Sequence, residues 1–586
     1  MNIYRHIKSA TLFKIATTNY ILIIQPIFIF LGLIFAAFII HGSAIDNWWS
    51  YDDTQILKHA FLFSPYEYFF IPEAWRALIP FSFTPWLTLS YDLDLALFGF
   101  DPKGFYIHNL LTIGLCAYLF YLIAGQWLKP GFAIGGALLF LIGPPIVLAA
   151  QQLMVRHYIE GMLFYLLSLC FILKSLRTGN TQWYGGLAGF TFAMATAAKE
   201  IYLPLGFIAF LLPIGSLRER LFAGWPILLV MALYVPWRWF MLGDPIGGYT
   251  PIEALPAVSF SSMLSQFKQI PNSLLTNFGV LTAGIIFIYG FFLLIQDKQW
   301  YVLVFTLIIC ILLAMPLLPL AVTSSLVAER FFIATWTTFV MVLSIILNDA
   351  SQKKHLRIVS FFLFGILFVS AYQKSNALYL YIQKEQNGYF SQGNKILNSS
   401  SNDIIFLFEN LLPHYSLGLL DLRKAMNKEL PVPSLVSDES QFLTIELDEK
   451  NIWRYDAQAK AMVDITENIQ SVIEVWQEKL KPLLLKINIR YDLNKKFISW
   501  DFQSPEAGDY IYISRSRLQV GPQGTVRMES PPSGCFRIRL NAFDGSVAYT
   551  PLLSLLQPIY HEDSLELSWE GKGDMFENKE EVDCGK

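Results

Sequence analysis

The sequence predicts a polytopic α-helical membrane protein of about 11 transmembrane helices with a C-terminal extracytoplasmic α/β plus β-sandwich region. Of its 586 residues, 54% are hydrophobic and 16% aromatic, whereas only 15% are charged, well below the roughly 25% of soluble domains. Apolar windows long enough to cross a bilayer recur over the first two thirds of the chain, and the remainder is polar. The net charge of −3 gives no reason to expect a nucleic-acid partner.

Eleven apolar windows predict the membrane spans. They cover residues 20–40, 105–126, 131–150, 157–174, 183–198, 201–215, 221–241, 273–295, 300–322, 331–347 and 356–372. The first window is too long for a signal peptide and lacks a small-residue cleavage site, so it is expected to remain as an anchor. Residues 77–100 are apolar but interrupted by prolines and acids, which favours interfacial helices over a span.

Lysines and arginines in the short loops indicate the orientation. They are Arg5, Lys8, Lys14, Lys129, Lys174, Arg177, Arg218, Arg220, Lys298, Lys353, Lys354 and Arg357. All of them fall on one side if the N-terminus is cytoplasmic. An odd number of spans then places the C-terminal region outside.

The polar third of the chain begins near Lys374 and divides the sequence into four predicted parts. They are a transmembrane domain at 1–373, an α/β segment at 374–480, a β-sandwich-like domain at 481–560 and an acidic tail at 561–586. Short alternating strands separated by glycine turns over 484–556 indicate the sandwich. Cys535 and Cys584 both lie in the part predicted to be extracytoplasmic, where a disulfide is permitted but not implied.

An acidic pair, Asp52-Asp53 in WWSYDD, directly follows the first apolar window. A carboxylate there could act as a general base on a substrate embedded in lipid. The alternative is a pair of solvated loop residues. A divalent metal held by Asp52 and Asp53 is left open.

Further polar and ionisable residues lie at the predicted outer ends of different spans. They are His108, Asn109, Arg156, His157, Lys199, Glu200, Glu329 and Arg330. Ionisable residues at membrane depth are costly and are candidates for function. We therefore expect Asp52 and Asp53 to share one cavity with Arg156, Lys199 or Arg330. The alternatives are an interfacial His108, a local Lys199–Glu200 ion pair, and basic side chains that reach lipid headgroups.

This combination of residues indicates a reaction. Arginine and lysine bind phosphate well, and they would neutralise a lipid phosphate as its bond to a sugar breaks. A carboxylate opposite would take the proton from an incoming hydroxyl. The set predicts a glycosyltransferase that uses a polyprenyl-phosphate sugar and a hydroxyl acceptor on a glycan, lipid or protein.

The arrangement resembles the GT-C superfamily of membrane glycosyltransferases, whose acidic pair in the first extracytoplasmic loop is matched by Asp52-Asp53. Over residues 20–345 it is similar to protein O-mannosyltransferase-like enzymes of the tetratricopeptide-repeat-linked type. The matching elements are SFTPWLTLSYDLDLALFGFDPKGFYIHNLL with His108-Asn109, Arg156, AAKEIYLPLGF with Lys199-Glu200, and LVAERFFIATW with Glu329-Arg330. GPPIVLAA keeps Pro144 but lacks the histidines and glutamate of that family's His-Pro-x-His-x-Glu segment.

The resemblance implies a GT-C-like helical core and an undecaprenyl-phosphate sugar donor. It also implies a bacterial inner-membrane location with the C-terminal region in the periplasm, and an inverting transfer. Two alternatives remain open: a transporter or flippase of a lipid-linked saccharide, and an inactive scaffold with the same fold. A transporter should carry its ionisable groups near the bilayer midplane, whereas here they lie at the predicted outer ends.

The predicted orientation can be tested by cysteine labelling in intact cells, in a variant without the native cysteines. A cysteine at Trp500 should react with a membrane-impermeant maleimide added from outside. A cysteine at Lys354, on the side predicted to be cytoplasmic, should react only after lysis. Labelling of position 500 only after lysis would contradict the odd number of spans.

Overall fold

The computed structural model describes most of the chain. The described residues are 19–80, 82–243, 260–296, 300–318, 329–407, 413–426, 431–443, 445, 447–494, 496–514, 517–528, 531–532, 534–555, 559–561 and 564–572. The basic residues before position 19, Lys298, Cys584 and most of the predicted acidic tail lie outside these ranges.

Twenty α-helices form within this part of the chain. They are α1 (Asn19–His41), α2 (Asp53–Leu62), α3 (Pro65–Phe70), α4 (Pro72–Arg76), α5 (Pro85–Phe98), α6 (Pro102–Ala124), α7 (Pro130–Leu141), α8 (Pro144–Gln151), α9 (Arg156–Thr178), α10 (Thr181–Ala198), α11 (Ile208–Leu211), α12 (Leu217–Leu242), α13 (Phe260–Phe267), α14 (Ile270–Leu274), α15 (Asn277–Gln296), α16 (Trp300–Ala314), α17 (Ile333–Gln352), α18 (Arg357–Asn398), α19 (Pro413–Met426) and α20 (Ile469–Gln477). Proline often occupies the first helical position, where the missing N–H costs nothing.

Seven helices among the described residues are long and apolar enough to cross a membrane, or up to eight if one bent pair forms a single span. The seven are Gln25–Asp46, Pro102–Ala124, Leu153–Thr178, Leu217–Leu242, Asn277–Gln296, Glu329–Gln352 and Arg357–Asn398. Three predicted windows, at 183–198, 201–215 and 300–322, instead fall on α10 and on the shorter apolar helices Glu200–Leu211 and Val304–Leu317. The predicted total of eleven spans therefore stays a prediction.

The bent pair consists of α7 and α8, whose axes differ by 53°. The bend falls at Gly143, because Pro144 and Pro145 have no N–H to continue the helical hydrogen bonds. A side chain at position 143 would overlap the indole of Trp336, and the Trp336 Nε1 atom donates to the Phe140 carbonyl at 3.1 Å. The GPPIVLAA segment is thus a packed, bent element of the helical core.

The chain divides into two compact units that differ from the predicted domains. The described residues of the first lie within Met1–Asn47, Phe83–Ile246 and Ala257–Ile382, and those of the second lie within Trp48–Ser82 and Gln383–Lys586. Residues 48–82, with the acidic pair, were expected in the transmembrane domain but belong to the second unit. The predicted boundary at 373–374 lies inside the continuous helix α18.

Small residues allow close helix packing in the first unit. Gly189 of α10 lies against Pro226 of α12, where an added Cβ would come within 2.5 Å of the proline Cβ. A Cβ added at Gly185 would come within 2.7 Å of the Ala223 carbonyl oxygen. Such contacts are typical of helix association in lipid, because small residues let the backbones approach.

Fourteen strands lie in the described part of the second unit. They are β1 (Asp403–Phe406), β2 (Ser434–Val436), β3 (Asn451–Asp456), β4 (Ala461–Asp464), β5 (Leu484–Asp492), β6 (Phe497–Gln503), β7 (Gly508–Ile513), β8 (Arg517–Val520), β9 (Gln523–Arg527), β10 (Cys535–Ala542), β11 (Val547–Tyr549), β12 (Leu553–Ser554), β13 (Ile559–His561) and β14 (Ser564–Lys572). The first sheet has the order β2-β1-β3-β4, with β1 parallel to β2 and to β3.

The C-terminal β region consists of two antiparallel sheets that share one core. Their strand orders are β11-β10-β7-β8, with β12 paired to β10, and β13-β14-β5-β6-β9. Leu485, Ile487 and Ile489 alternate along β5 and face the apolar side chains of β10. Strand β14 lies in the stretch expected to be an acidic tail, and it pairs with β5 along its whole length. In this strand Leu565, Leu567 and Trp569 alternate with polar residues, which is the pattern expected of a β-strand with one apolar face.

A buried ion pair joins the α/β part of the second unit to the β region. Arg539 Nη1 lies 2.6 Å from Asp438 Oδ2 and 2.9 Å from Glu439 Oε2. The Tyr549 hydroxyl donates to Asp438 at 3.0 Å. Asp438 is fully buried, so its charge depends on these partners.

Arg539→Ala should therefore destabilise the protein by about 3–5 kcal/mol, because it leaves a buried carboxylate without its counter-ion. Arg490→Ala is the matched control, since the Arg490–Glu566 pair is exposed and should contribute less than about 1 kcal/mol. Thermal unfolding of the detergent-solubilised full chain measures the difference. Equal melting temperatures for the two variants would contradict a structural role for the buried pair.

Candidate functional site

The acidic loop, defined here as Trp48–Asp53, forms a tight turn in the second unit. The Asp53 N–H donates to the Ser50 carbonyl at 3.0 Å, and the Asp53 Oδ2 atom accepts from the Ser50 N–H at 2.7 Å. Tyr51, between them, has a positive φ of 49°, which is uncommon for a residue with a side chain. The turn leads into the first residue of α2, where the helix dipole favours negative charge.

The two carboxylates differ in exposure. Asp53 is fully buried and is engaged by the turn, whereas Asp52 is only partly buried. Of the two predicted catalytic residues, Asp52 is thus the one that solvent and substrate can reach more readily.

Arg156 lies in a buried charge cluster of the first unit. Its Nη1 atom is 2.6 Å from Asp94 Oδ2, and its Nε atom is 3.5 Å from Glu160 Oε1 one helical turn later. It also donates to the Ser90 hydroxyl, and its guanidinium lies 4.4 Å from the centre of the Tyr91 ring. The side chain is fully buried. Two carboxylates therefore already balance its charge, as a buried guanidinium requires.

His108 and Asn109 also contact protein groups in the first unit. His108 Nδ1 lies 2.8 Å from Asp94 Oδ1, so Asp94 joins His108 on α6 to Arg156 on α9. Asn109 is buried and donates to the Ala149 carbonyl at 2.6 Å, which ties α6 to α8. The described contacts of both residues join helices. The prediction that His108 and Asn109 bind substrate stays a prediction.

Glu200 pairs with a residue that the sequence did not single out. Its Oε1 atom accepts from Arg238 Nε at 2.9 Å and from the Phe83 N–H at 2.8 Å. The short turn Glu200–Tyr202 is thereby fixed to α12 and to the segment before α5. Glu200 thus makes longer-range contacts beside the local Lys199–Glu200 pair that the sequence offered as an alternative.

Lys199 and Arg330 belong to different elements, and both side chains approach one buried tyrosine, Tyr158. The Lys199 Nζ atom is 4.9 Å from the centre of the Tyr158 ring, and the Arg330 side chain lies within hydrogen-bonding reach of the Tyr158 hydroxyl. Phe331 packs edge-on against the same ring at 5.9 Å, and the His157 ring lies 4.5 Å from it. Two cations from distant parts of the sequence are thus brought to one aromatic ring.

The first unit therefore brings together His157, Lys199 and Arg330 around Tyr158, and it groups Arg156 and His108 around Asp94. Glu329, half-buried, begins the turn that carries Arg330. Sequence reasoning missed Asp94, Glu160, Arg238 and Tyr158. Glu160 could have been found from its four-residue spacing to Arg156 on one helix, and Asp94 from its position among apolar residues.

No group of three or more His, Cys, Asp or Glu side chains in the described ranges could hold a metal ion. Asp52 and Asp53 have no described third ligand of these types beside them.

Comparisons with known proteins give little further information. No family model matches the chain, and no curated protein is similar to it. Among solved structures, it is similar to the crystal structure of ArnT from Cupriavidus metallidurans bound to undecaprenyl phosphate. The identity is 12% and the TM-score 0.38, over 75% of this chain and 93% of that chain. A similarity this low carries no argument about the activity of this chain.

A double-mutant cycle tests whether Arg156 is a structural partner of Asp94. Asp94→Asn and Arg156→Gln should each destabilise the protein by about 3–5 kcal/mol, because each leaves an unbalanced buried charge. The double variant should be less destabilised than the sum of the two, since it removes both charges. Melting temperatures in detergent measure the coupling. Additive losses would show that Arg156 acts independently of Asp94.

Proposed function

We propose that this chain is an integral membrane glycosyltransferase that moves a sugar from a polyprenyl-phosphate donor to a hydroxyl acceptor on the extracytoplasmic side. The observation that carries the proposal is the pair of cations, Lys199 and Arg330, at the buried ring of Tyr158. Arginine and lysine side chains both bind phosphate well, so a phosphate at this ring would be attracted by both of them. The resemblance of the sequence to GT-C enzymes supports the choice of anion, a lipid-linked phosphate.

Lys199 and Arg330 would hold the donor phosphate in complementary ways. Arginine offers a planar fork of donors that matches two phosphate oxygens, whereas lysine supplies a compact point charge. Tyr158, buried between them, would set their spacing. As the bond between the sugar and the phosphate breaks, the phosphate gains negative charge. Cations already in place stabilise that charge without rearranging.

The acidic loop would supply the base. We assign this role to Asp52, because it is the more exposed of the two carboxylates. The Asp52 carboxylate takes the proton of the acceptor hydroxyl while the acceptor oxygen attacks the anomeric carbon. The bond from that carbon to the phosphate oxygen breaks, and the lipid phosphate leaves with the electron pair. A single displacement of this kind inverts the anomeric configuration.

Asp53 and Arg156 would act indirectly in this scheme. Asp53 closes the turn that presents Asp52. Arg156 anchors the first turn of α9 through Asp94 and Glu160, two residues before Tyr158. Both are therefore assigned to positioning, and Arg156 is not assigned to the phosphate.

The competing transporter hypothesis requires ionisable groups near the bilayer midplane and helices broken there. The cations assigned to the donor lie at the ends of elements: Lys199 follows the last residue of α10, and Arg330 lies in the turn before α17. This placement favours a reaction near the membrane surface.

The direct test is mass spectrometry of envelope glycans and periplasmic glycoproteins from cells with and without the gene. A glycosyltransferase should add one sugar residue to a defined product, and that mass should vanish in the deletion strain. If the deletion strain instead accumulates an unmodified lipid-linked saccharide, and no product that has lost only the one sugar residue is found, the result would favour a transporter.

Asp52→Asn should lower transfer by about 10²–10⁴-fold while leaving the amount of folded protein unchanged, because the amide cannot accept the proton. Asp52→Glu, which keeps a carboxylate, is the matched control and should retain part of the activity. The measurement is restoration of the missing glycan in the deletion strain. Wild-type transfer by an Asp52→Asn/Asp53→Asn double variant would exclude the acidic pair as the base.

Lys199→Gln and Arg330→Gln should each weaken donor binding and slow transfer by a factor comparable to loss of the base, because each removes a charge from the developing phosphate anion. Lys103→Gln, at an exposed position in the first turn of α6, is the control and should behave as the wild type. Transfer rates are compared in membranes at several concentrations of added polyprenyl-phosphate sugar. An unchanged donor dependence in both variants would contradict the phosphate assignment.

A further inference from the structure

We infer that residues 383–407 and 413–426 position the acidic loop, and that Tyr415 is the positioning residue through which they act. The inference rests on the proposed role of the acidic pair, but it assigns a function to a part of the chain that lies more than 300 residues further along. The end of α18 and the start of α19 contact the loop within the second compact unit.

Tyr415 contacts the chain on both sides of the acidic pair. Its hydroxyl accepts a hydrogen bond from Trp48 Nε1 at 3.1 Å, and its backbone carbonyl accepts one from the Thr54 hydroxyl at 2.9 Å. Its own hydroxyl donates to the Tyr389 carbonyl at 2.9 Å. The fully buried Tyr415 side chain therefore ties Trp48, the first residue of the acidic loop, to helix α18, and the Tyr415 backbone holds Thr54, the residue that follows the loop.

The Tyr415 hydroxyl keeps its proton throughout the physiological range. Burial raises its pKa well above the usual value for tyrosine, and the negative charge of Asp53 acts in the same direction. A protonated hydroxyl can accept from Trp48 and donate to Tyr389 at once. The contact is thus a fixed link and not one that changes with pH.

Helix α18 holds the loop at two further points. The Trp48 N–H donates to Gln386 Oε1 at 3.2 Å, and the Tyr51 hydroxyl donates to the Glu385 carboxylate. Tyr51 is the residue with the positive φ, a conformation that persists only where the surroundings enforce it. Its ring also packs on Tyr389, with centres 5.1 Å apart.

Two glycines make these contacts possible. A methyl group at Gly393 would overlap the Tyr415 hydroxyl and lie 2.7 Å from Trp48 Nε1. A methyl group at Gly418 would lie 2.6 Å from the Thr54 hydroxyl. Any side chain at either position would separate the helices from the loop. Helices α18 and α19 thus lie in close contact with the acidic loop and with the residue that follows it.

The contacts that α18 and α19 make with the acidic loop affect how accurately its carboxylates are positioned. A general base must lie within hydrogen-bonding distance of the proton that it removes, and a displacement of about 1 Å can cost roughly 10²-fold in rate. An isolated six-residue loop cannot hold its carboxylates to that tolerance. The contacts from α18 and α19 supply the constraint.

The test combines hydrogen–deuterium exchange with transfer activity, both on the full-length protein in membranes that contain its endogenous lipid-linked sugars. Tyr415→Phe removes one hydroxyl and keeps the ring. It should raise the exchange of backbone amides over residues 48–57 by at least about fivefold, because the loss of a single hydrogen bond typically accounts for that factor and this hydroxyl makes two. Transfer should fall by up to about 10²-fold. Tyr491→Phe is the matched control, since it removes a buried hydroxyl that donates to the Met528 carbonyl in the β region.

A coupling measurement separates positioning from a general loss of stability. If Tyr415 acts through Trp48, then Trp48→Phe should reduce transfer to a similar extent, and the double variant should be no worse than either single one. Additive losses of transfer would show that the two residues act separately and would overturn the inference. Gly393→Ala, which forces the helix from the loop, should reproduce the Tyr415→Phe phenotype.

The remaining outcomes distinguish this inference from the proposed function. Unchanged exchange over residues 48–57 in Tyr415→Phe would overturn the positioning role and leave the proposed reaction intact. Raised exchange with wild-type transfer would also overturn it, because the position of the loop would then not matter to activity. Wild-type transfer by the Asp52→Asn/Asp53→Asn variant would instead reject the proposed reaction, whatever Tyr415→Phe does.

Discussion

The ion pair between Arg156 and Asp94 is the interaction on which the arrangement of the first unit depends. A guanidinium in an apolar helical core is unstable unless carboxylates balance it, and here Asp94 and Glu160 do so. The pair fixes the start of α9 against α5. Tyr158 follows on the same helical turn, and Lys199 and Arg330 meet at its ring. Through Asp94 the same pair reaches His108, so three helices are joined at one buried carboxylate.

The sequence predicted the class of the structure because its strongest patterns are local. Long apolar windows predict helices, and the windows near 105–126, 157–174 and 221–241 lie on α6, α9 and α12. Alternating apolar residues predicted strands such as β5 and β10. Each of these features is decided within a few residues, so a single sequence is enough to find it. The break at Gly143 was not predicted, since residues 131–150 were expected to form one span, although the two prolines that cause it are visible in the sequence.

The pairing of the charged residues could not be predicted, because it depends on which helices become neighbours. His108, Arg156 and Glu200 were sound candidates as ionisable groups among apolar residues. Nothing local indicated that Asp94 and Arg238 would be among their partners, and only Glu160, four residues after Arg156 on the same helix, was open to a local argument. Strand β14 was missed for a related reason: its glutamates suggested an acidic tail, whereas its alternation with Leu565, Leu567 and Trp569 becomes decisive only once β5 is available to pair with it.

The position of the acidic loop also depends on residues that are far away in the sequence. Its partners Gln386 and Tyr415 lie 338 and 367 residues from Trp48 along the chain. Helix α18 has 42 residues, or about 63 Å at 1.5 Å per residue, roughly twice the thickness of the hydrocarbon core. The helix is therefore about twice as long as a single crossing of a bilayer requires.

The order of synthesis then has a consequence for the site. The acidic loop leaves the ribosome long before residues 383–426 exist, and contacts so far apart in sequence form late because closing the intervening chain costs entropy. Tyr51 can adopt its positive φ, and Asp52 its position, only after α18 and α19 have formed. On the proposed function, the base would therefore be held in place by contacts with residues made more than 300 positions after it.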